Sequence, residues 1–402
     1  MTSNNRTQSL GKDSFLRPWY RTAAAVVALL LFAVIATGCS GGPNGGSQSS
    51  MTQDSRSTPT IEPVLSDGAL PRFPDGTVVR VVAHDSFAVS TAVLDEFTAR
   101  TGVRVEILPS GDAGTMVNAA ILTKDDPQGD LLFGIDENLL AKAFDEGLFQ
   151  RYSASGLGSV PMSLQADDQH RVTPIDHGDV CVNFDRSWFA DRNLPVPDDL
   201  QSFTDSKYRS TLAVEDPSSS TPGLSFLLAT IATFGGGEDT GPNPAWLQYW
   251  RDLKANDVSV VDSWETAYYS SFSGSSGAGN RPLVVSYASS PPAEVLDTSV
   301  PADATPTGVV APTCYRQIEF AGVLAGAKQP RAAATFIEFM LMQSFQQDMP
   351  EQMYVYPVVD ETPLPEAFSK YTTPVAEPLT LPYELVAASR ERWVAQWASI
   401  FR

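Results

Sequence analysis

Cysteine and histidine are both scarce, with three of each in 402 residues. His84, His170 and His177 are scattered and form no His-Glu-x-x-His, which excludes the familiar zinc-protease spacing. A Gly-x-Ser-x-Gly elbow and a Walker phosphate loop are also missing. The adjacency of His84, Asp85 and Ser86 carries little weight, because triad members meet in space rather than in sequence. The expected reading is therefore not an enzyme, with no cofactor and no metal. Basic residues are in short supply as well, 27 Lys and Arg against 47 Asp and Glu, for a formal net charge of −20. Affinity for nucleic acid comes from neutralising phosphates, so nucleic acid is excluded as a partner, while a cationic small molecule is favoured.

Long apolar runs are also lacking, with one exception near the start. Residues Ala23–Thr37 are uncharged and apolar behind Arg6, Lys12, Arg17 and Arg21. A run of roughly 15 residues suits the core of a secretory leader better than a membrane span, although a short N-terminal anchor overlaps it in length. Both readings put the bulk of the chain outside the cytoplasm. The run ends in small residues before Cys39, a pattern that resembles a bacterial lipobox. That resemblance implies a leader over 1–38 and a lipid on Cys39 at the head of the mature chain. Residues 39–76 are rich in Gly, Ser, Pro, Thr and Gln and read as a flexible tether. With Cys39 lipidated, Cys181 and Cys314 remain as a pair in an oxidising compartment, expected as a disulfide, with two buried free thiols as the alternative.

Folding signals begin at Thr77. Strands are expected over 77–83, 103–108, 130–135, 179–184, 211–215 and 283–287. Helices are expected after a Ser86 cap and over 114–122, 137–146, 224–234, 244–255, 331–349 and 382–401. Gly102 and Gly147 stand where helices should stop. Trp246 and Trp250 lie four apart on one helix face and read as core, and residues 270–280 read as a Ser/Gly loop. Alternating strands and helices imply an α/β fold with parallel strands in two lobes. Polar and aromatic residues gather just beyond the strand ends, at His84–Phe87, Ser110–Asp112, Gly134–Asp136, Asp216–Gly223 and Tyr287–Ser290. Ligands bind at such ends in doubly wound sheets.

Read in order, Val81–Phe87, Gly134–Leu140, Pro174–Gly178, Asp216–Leu224, Trp264–Tyr268, Ser286–Pro291 and Tyr356–Val358 resemble the thiamine-binding receptors of ABC importers. The resemblance covers about Thr77 to Arg402. It implies a two-lobed fold of the type 2 periplasmic-binding-protein kind, with a ligand cleft between lobes and a hinge of crossing strands. Lobe 1 is then 77–176 plus 315–358, and lobe 2 is 177–314 plus 359–402. Crossings fall near Asp176–Gly178 and Cys314–Glu319, which would set Cys181 opposite Cys314. The implied ligand residues are His84, Asp85, Ser86, Asp112, Ala113, Asp136, Asp176, Ser220, Thr221, Trp264, Tyr287, Ala288, Ser289, Ser290, Tyr354 and Tyr356. The implied partners are thiamine or a thiamine phosphate, an ABC permease with its ATPase subunits, and the membrane through Cys39, with the receptor itself a monomer. Trp264 and Tyr287 suit stacking and cation–π attraction to such a ligand. His84, Tyr354 and Ala293 depart from the family pattern at positions that usually carry other aromatics. Ferric ion or another small cation is the alternative ligand within the same fold. Tyr268 and Tyr269 form a tyrosine pair of the type iron takes, but in an expected helix away from the strand ends. An extracytoplasmic hydrolase is a third reading, and no motif supports it.

Overall fold

The computed structural model describes residues 58–65, 68–235, 243–274, 279–296, 305–372 and 375–401. The leader, Cys39 and most of the tether lie outside them. The chain opens with β1 (Val78–Ala83), α1 (Thr91–Thr101), β2 (Arg104–Pro109), α2 (Ala113–Leu122), β3 (Leu131–Asp136) and α3 (Glu137–Asp145). The middle holds β4 (Thr173–Asp185), α4 (Arg186–Asp191), β5 (Leu212–Glu215), α5 (Thr221–Phe234), α6 (Ala245–Ala255), β6 (Ser259–Val261), β7 (Leu283–Tyr287) and α7 (Ser290–Ala293). It closes with β8 (Thr307–Val323), α8 (Pro330–Met340), α9 (Gln343–Gln352), β9 (Tyr356–Pro357), α10 (Glu366–Tyr371) and α11 (Tyr383–Phe401).

The strands run in the order β2-β1-β3-β8-β4-β7-β5-β6, with β9 beside β4. β1 pairs parallel with β2 and β3, and β5 pairs parallel with β6 and β7. Between these parallel groups run the long antiparallel strands β4 and β8, each reaching both sides. They form the frame on which the two lobes sit. Asp176 pairs with Glu319 and Gly178 with Gln317, at the crossings expected. β9 pairs antiparallel with β4 at Asp176–Pro357 and His177–Tyr356, beside the expected passage between lobes after 358, although two residues of strand leave no periodicity to read.

Cys181 and Cys314 are bonded, and both are buried. They sit where the β4–β8 register shifts between Val180 and Val182. There the Thr313 hydroxyl fills the gap in the ladder by accepting from the Val182 N–H at 2.9 Å.

Most expected elements are present, with four corrections. Ser90, not Ser86, caps α1; Phe87 instead turns inward onto Phe133, with ring centroids 4.3 Å apart. The single helix expected over 331–349 is two helices broken at Met342, whose backbone is extended. The break is held by buried Gln346, which donates to Met340 and Ile175 carbonyls and accepts from Val358 and Val359. Nothing local in the sequence signals those distant partners. Ser270 and Ser271 belong to a π-helical turn (Thr266–Ser271) rather than to the Ser/Gly loop, of which 275–278 fall outside the described residues.

Finally, the tether does not extend to Gly76. Ile61 donates to the Arg151 carbonyl at 2.8 Å, and Ile61, Val64 and Leu70 are buried in the main core. Three apolar residues among many polar ones are a weak signal, yet burying each gains on the order of 1.5–3 kcal/mol. Trp246 and Trp250 are core as expected. Helix α11 joins the two sides: Trp397 packs edge-on against Trp250 of α6, while Glu391 reaches Lys142 of α3 at 3.4 Å.

Candidate functional site

Between the two parallel groups lies a cleft enclosing about 240 Å³. That is close to the lower end of the roughly 300–1,000 Å³ typical of small-molecule sites. Its walls come from strand ends, as the parallel topology requires. His84, Asp85 and Ser86 follow β1, Asp112 and Ala113 follow β2, and Tyr287 ends β7. Thr221 opens α5, and Trp264 lies just after β6. Tyr354 enters from the segment before β9.

His84 occupies its place because Gly134 has no side chain. Gly134 has φ +92°, and a Cβ there would lie 2.2 Å from the imidazole Cδ2. The imidazole Nε2 stands 3.7 Å from Glu319 Oε1, close enough for charge attraction but beyond a hydrogen bond. Burial disfavours its charged form, yet Glu319, then Asp112 and Asp85, outweigh this and raise the His84 pKa.

Trp264 is held on several sides. Its indole N–H donates to Ser286 Oγ at 3.0 Å, and its ring stacks on Tyr268 at 5.1 Å and 15°. Tyr287 approaches it at 6.5 Å and Tyr269 at 5.5 Å, both edge-on. Tyr287 is fixed in turn by its hydroxyl, which donates to Gln317 Oε1 at 2.8 Å. Gln317 also donates to Thr221 Oγ1 at 2.9 Å and to Asp136 Oδ2 at 3.3 Å, tying both sides to β8.

The walls carry four carboxyl groups, Asp85, Asp112, Glu265 and Glu319, and no Lys or Arg among the described residues. Burial raises the pKa of Asp112 against the pull of the Trp264 N–H and His84. Burial, then the charges of Asp85 and Asp112, raises that of Glu265. Such a cleft presents an aromatic face and a negative field, which suits a flat cation.

Of the ligand residues the resemblance implied, His84, Asp85, Ser86, Asp112, Ala113, Thr221, Trp264, Tyr287 and Tyr354 meet at this cavity. The others stand behind it. Asp136 caps α3 and is fully buried, its pKa raised to about 7 by burial. Asp176 is buried in β4 opposite Glu319. Ser220 is buried before α5, and Ala288 packs against the disulfide. Ser289 donates to the Tyr354 carbonyl, and Ser290 Oγ lies 2.9 Å from Ser286 Oγ. Tyr356 stacks on His177 at 5.5 Å, and burial with nearby Arg316 lowers the His177 pKa to about 4. Ala293, one of the departures from the family pattern, is not in the wall either.

Glu265, Tyr269 and Glu319 are in the wall but were not anticipated. Tyr269 corrects the expectation that the tyrosine pair lies away from the site. The π-helical turn sets Tyr269 toward the cleft and turns the Tyr268 hydroxyl to Glu294. Glu265 adjoins Trp264 and could have been found from that neighbour. Glu319 could not, since its only signal is the β4–β8 register. No His, Cys, Asp and Glu grouping able to hold a metal ion occurs among the described residues.

Comparison with known proteins agrees with this architecture. A model of the bacterial extracellular solute-binding protein family matches residues 126–374. The thiamine-binding periplasmic protein of Escherichia coli K12 is 29% identical over 325 residues, covering 80% of this chain and 92% of that protein. Its counterpart in Brucella suis biovar 1 is 27% identical over 341 residues, covering 82% and 94%. A solved periplasmic thiamin binding protein superposes with a TM-score of 0.70 at 27% identity, covering 83% of this chain and all of that one. The ferric binding protein from Campylobacter jejuni superposes at 0.62 with 15% identity, covering 80% and 99%, a likeness of fold alone.

Proposed function

The chain belongs to the bacterial extracellular solute-binding proteins, and we propose that it is a lipid-anchored receptor for thiamine or a thiamine phosphate. On this reading the ligand binds in the cleft and is passed to an ABC permease with its ATPase subunits. The lobes are 77–176 with 315–358 and 177–314 with 359–402. Cys39 carries the lipid, and the stretch from there to about residue 58 is the tether of a monomeric receptor outside the cytoplasm.

One observation carries the reading. The ordered aromatic face of Trp264, Tyr287 and Tyr269 confronts Asp85, Asp112, Glu265 and Glu319, with no basic side chain but His84 in the described wall. Thiamine is a cation with two aromatic rings, each flat, so stacking and charge attraction act on it together. Ser86 and Thr221 suit its hydroxyethyl arm. The same charge makes free thiamine the preferred ligand over its phosphates, since nothing cationic beyond His84 awaits a phosphate. The relatives named for thiamine support a ligand of the thiamine class.

Calorimetry of the purified full-length chain with thiamine, thiamine monophosphate and ferric citrate tests it. Thiamine should bind in the micromolar to nanomolar range, on the order of −8 to −12 kcal/mol. No heat and no thermal shift with either thiamine compound would sink the proposal. Binding of ferric citrate alone would favour iron, with Tyr269 its nearest hard ligand.

A further inference from the structure

Asp112 caps two helices at once, one from each side of the cleft. Its Oδ1 accepts from the Ala113 N–H at 2.7 Å, at the start of α2. Its Oδ2 accepts from the Trp264 N–H at 3.0 Å, where the chain on the opposite side enters its own helical turn. A turn's first N–H groups have no partner inside their own helix. Thr115 supplies a further such donor from α2, and it reaches across the cleft to the Ser219 carbonyl at 3.2 Å.

Between Asp112 and Thr115 lies Gly114, buried in this seam. A Cβ added there would stand 2.7 Å from Ser219 O and 3.3 Å from Ser218 O. Both are backbone atoms, so no rotamer change relieves the clash. Only separation of the two sides does.

We infer that Asp112, Gly114 and Thr115 form a closure seam that positions the two walls of the cleft, with Gly114 the residue whose missing side chain permits full closure. Gly114, Thr115 and Ser219 do not line the cavity. They act on affinity through Trp264, whose backbone is placed by Asp112 and whose ring completes the aromatic face. In an open molecule the same N–H groups turn to water, so the exchange is nearly even and the seam can part. The inference uses the interlobe cleft but not the identity of its ligand.

The test separates the two. In the full-length chain, Thr115→Cys with Ser219→Cys reports closure without ligand, by the rate of oxidative trapping read by peptide mapping. Adding Gly114→Ala should slow trapping at least tenfold. In the otherwise native chain it should weaken thiamine binding at least tenfold. The ligand-free melting temperature should stay level or rise, since Ala is the better helix former. Asp112→Asn keeps one accepting oxygen but sets an NH2 against the other N–H, so it should trap at least threefold more slowly than the parent, as should Asp112→Ala. Unchanged trapping in Gly114→Ala overturns the inference. So does a ligand-free melting temperature several degrees lower, which would give Gly114 a packing role only. If the native chain ignores thiamine, the ligand reading falls, and the trapping rates still decide the seam.

Discussion

Asp176 and Glu319 stand opposite each other across the antiparallel strands β4 and β8, both buried, Glu319 in the wall of the cleft and Asp176 behind it. Neither Asp176 oxygen accepts from an N–H or hydroxyl among the described residues, and the carboxyl faces that of Glu319. Burial first, and then the charge of Glu319, push its pKa well above the usual carboxylate range. Two carboxyls in one dry layer cannot both ionise cheaply, so Asp176 holds its proton.

The pH dependence of folding follows from that proton. A folded-state pKa above the unfolded one means the stabilisation is complete below about pH 4 and lost as pH rises through the raised value. Asp176→Asn cannot ionise, so it should gain on the native chain as pH rises. Scanning calorimetry should find equal melting temperatures near pH 4 and a variant higher by about 2–4 °C near pH 8. The same offset at both would mean Asp176 does not titrate in this range.

His84 should set the pH dependence of ligand binding. Protonated, it offsets Glu319 and repels a cation; neutral, it leaves the field of Asp85, Asp112, Glu265 and Glu319 unopposed. Its pKa is raised, so thiamine affinity should climb about fivefold, roughly 1 kcal/mol, as pH rises from about 6.5 through that raised value. For folding the sign is opposite: His84 stabilises below about pH 6.5 and that contribution fades above its raised pKa. His84→Gln should flatten the binding profile. A slope that survives in the variant removes His84 from the account.

Trp264 should be the largest single contributor of the aromatic face. Its ring is already immobilised by Ser286 and Tyr268, so binding does not have to order it. Trp264→Ala should cost at least tenfold in thiamine affinity, about 1.4 kcal/mol or more, by titration calorimetry. Trp264→Phe should recover part of it. A loss under about fivefold would take the stacking role away.

The Cys181–Cys314 bond spans 133 positions in sequence but joins strands that are already neighbours. It should stabilise the fold without locking the cleft. Replacing both cysteines by Ala should lower stability by about 2–4 kcal/mol in urea unfolding. Thiamine affinity should stay within about twofold. A larger change in affinity would mean the bond shapes the cleft itself.

The sequence was most readable where its signals are local. Short apolar runs predicted β1, β3 and β7, and Gly102 and Gly147 marked the ends of α1 and α3, both at positive φ. Strand-end motifs held six of the nine expected ligand residues that meet at one cavity, because the carboxyl ends of parallel strands share an edge, and the family resemblance implied Ala113, Trp264 and Tyr354. The cysteine count anticipated the disulfide. What depended on partners far along the chain was invisible. Gln346 breaks a helix through contacts with β4 and the segment after β9, and Ile61 and Val64 anchor an otherwise polar stretch to the core. The seam at Gly114 exists only because α2 meets the Ser219 loop, and Glu319 enters the wall only through the register of β8. Residue type and local spacing thus determined most of the elements and pointed outside the cytoplasm, while the proposed ligand rests on the family resemblance. Which carboxyls face the cleft, which stay dry behind it and where its two walls touch were decided by packing, since burial and charge proximity are properties of the folded neighbourhood.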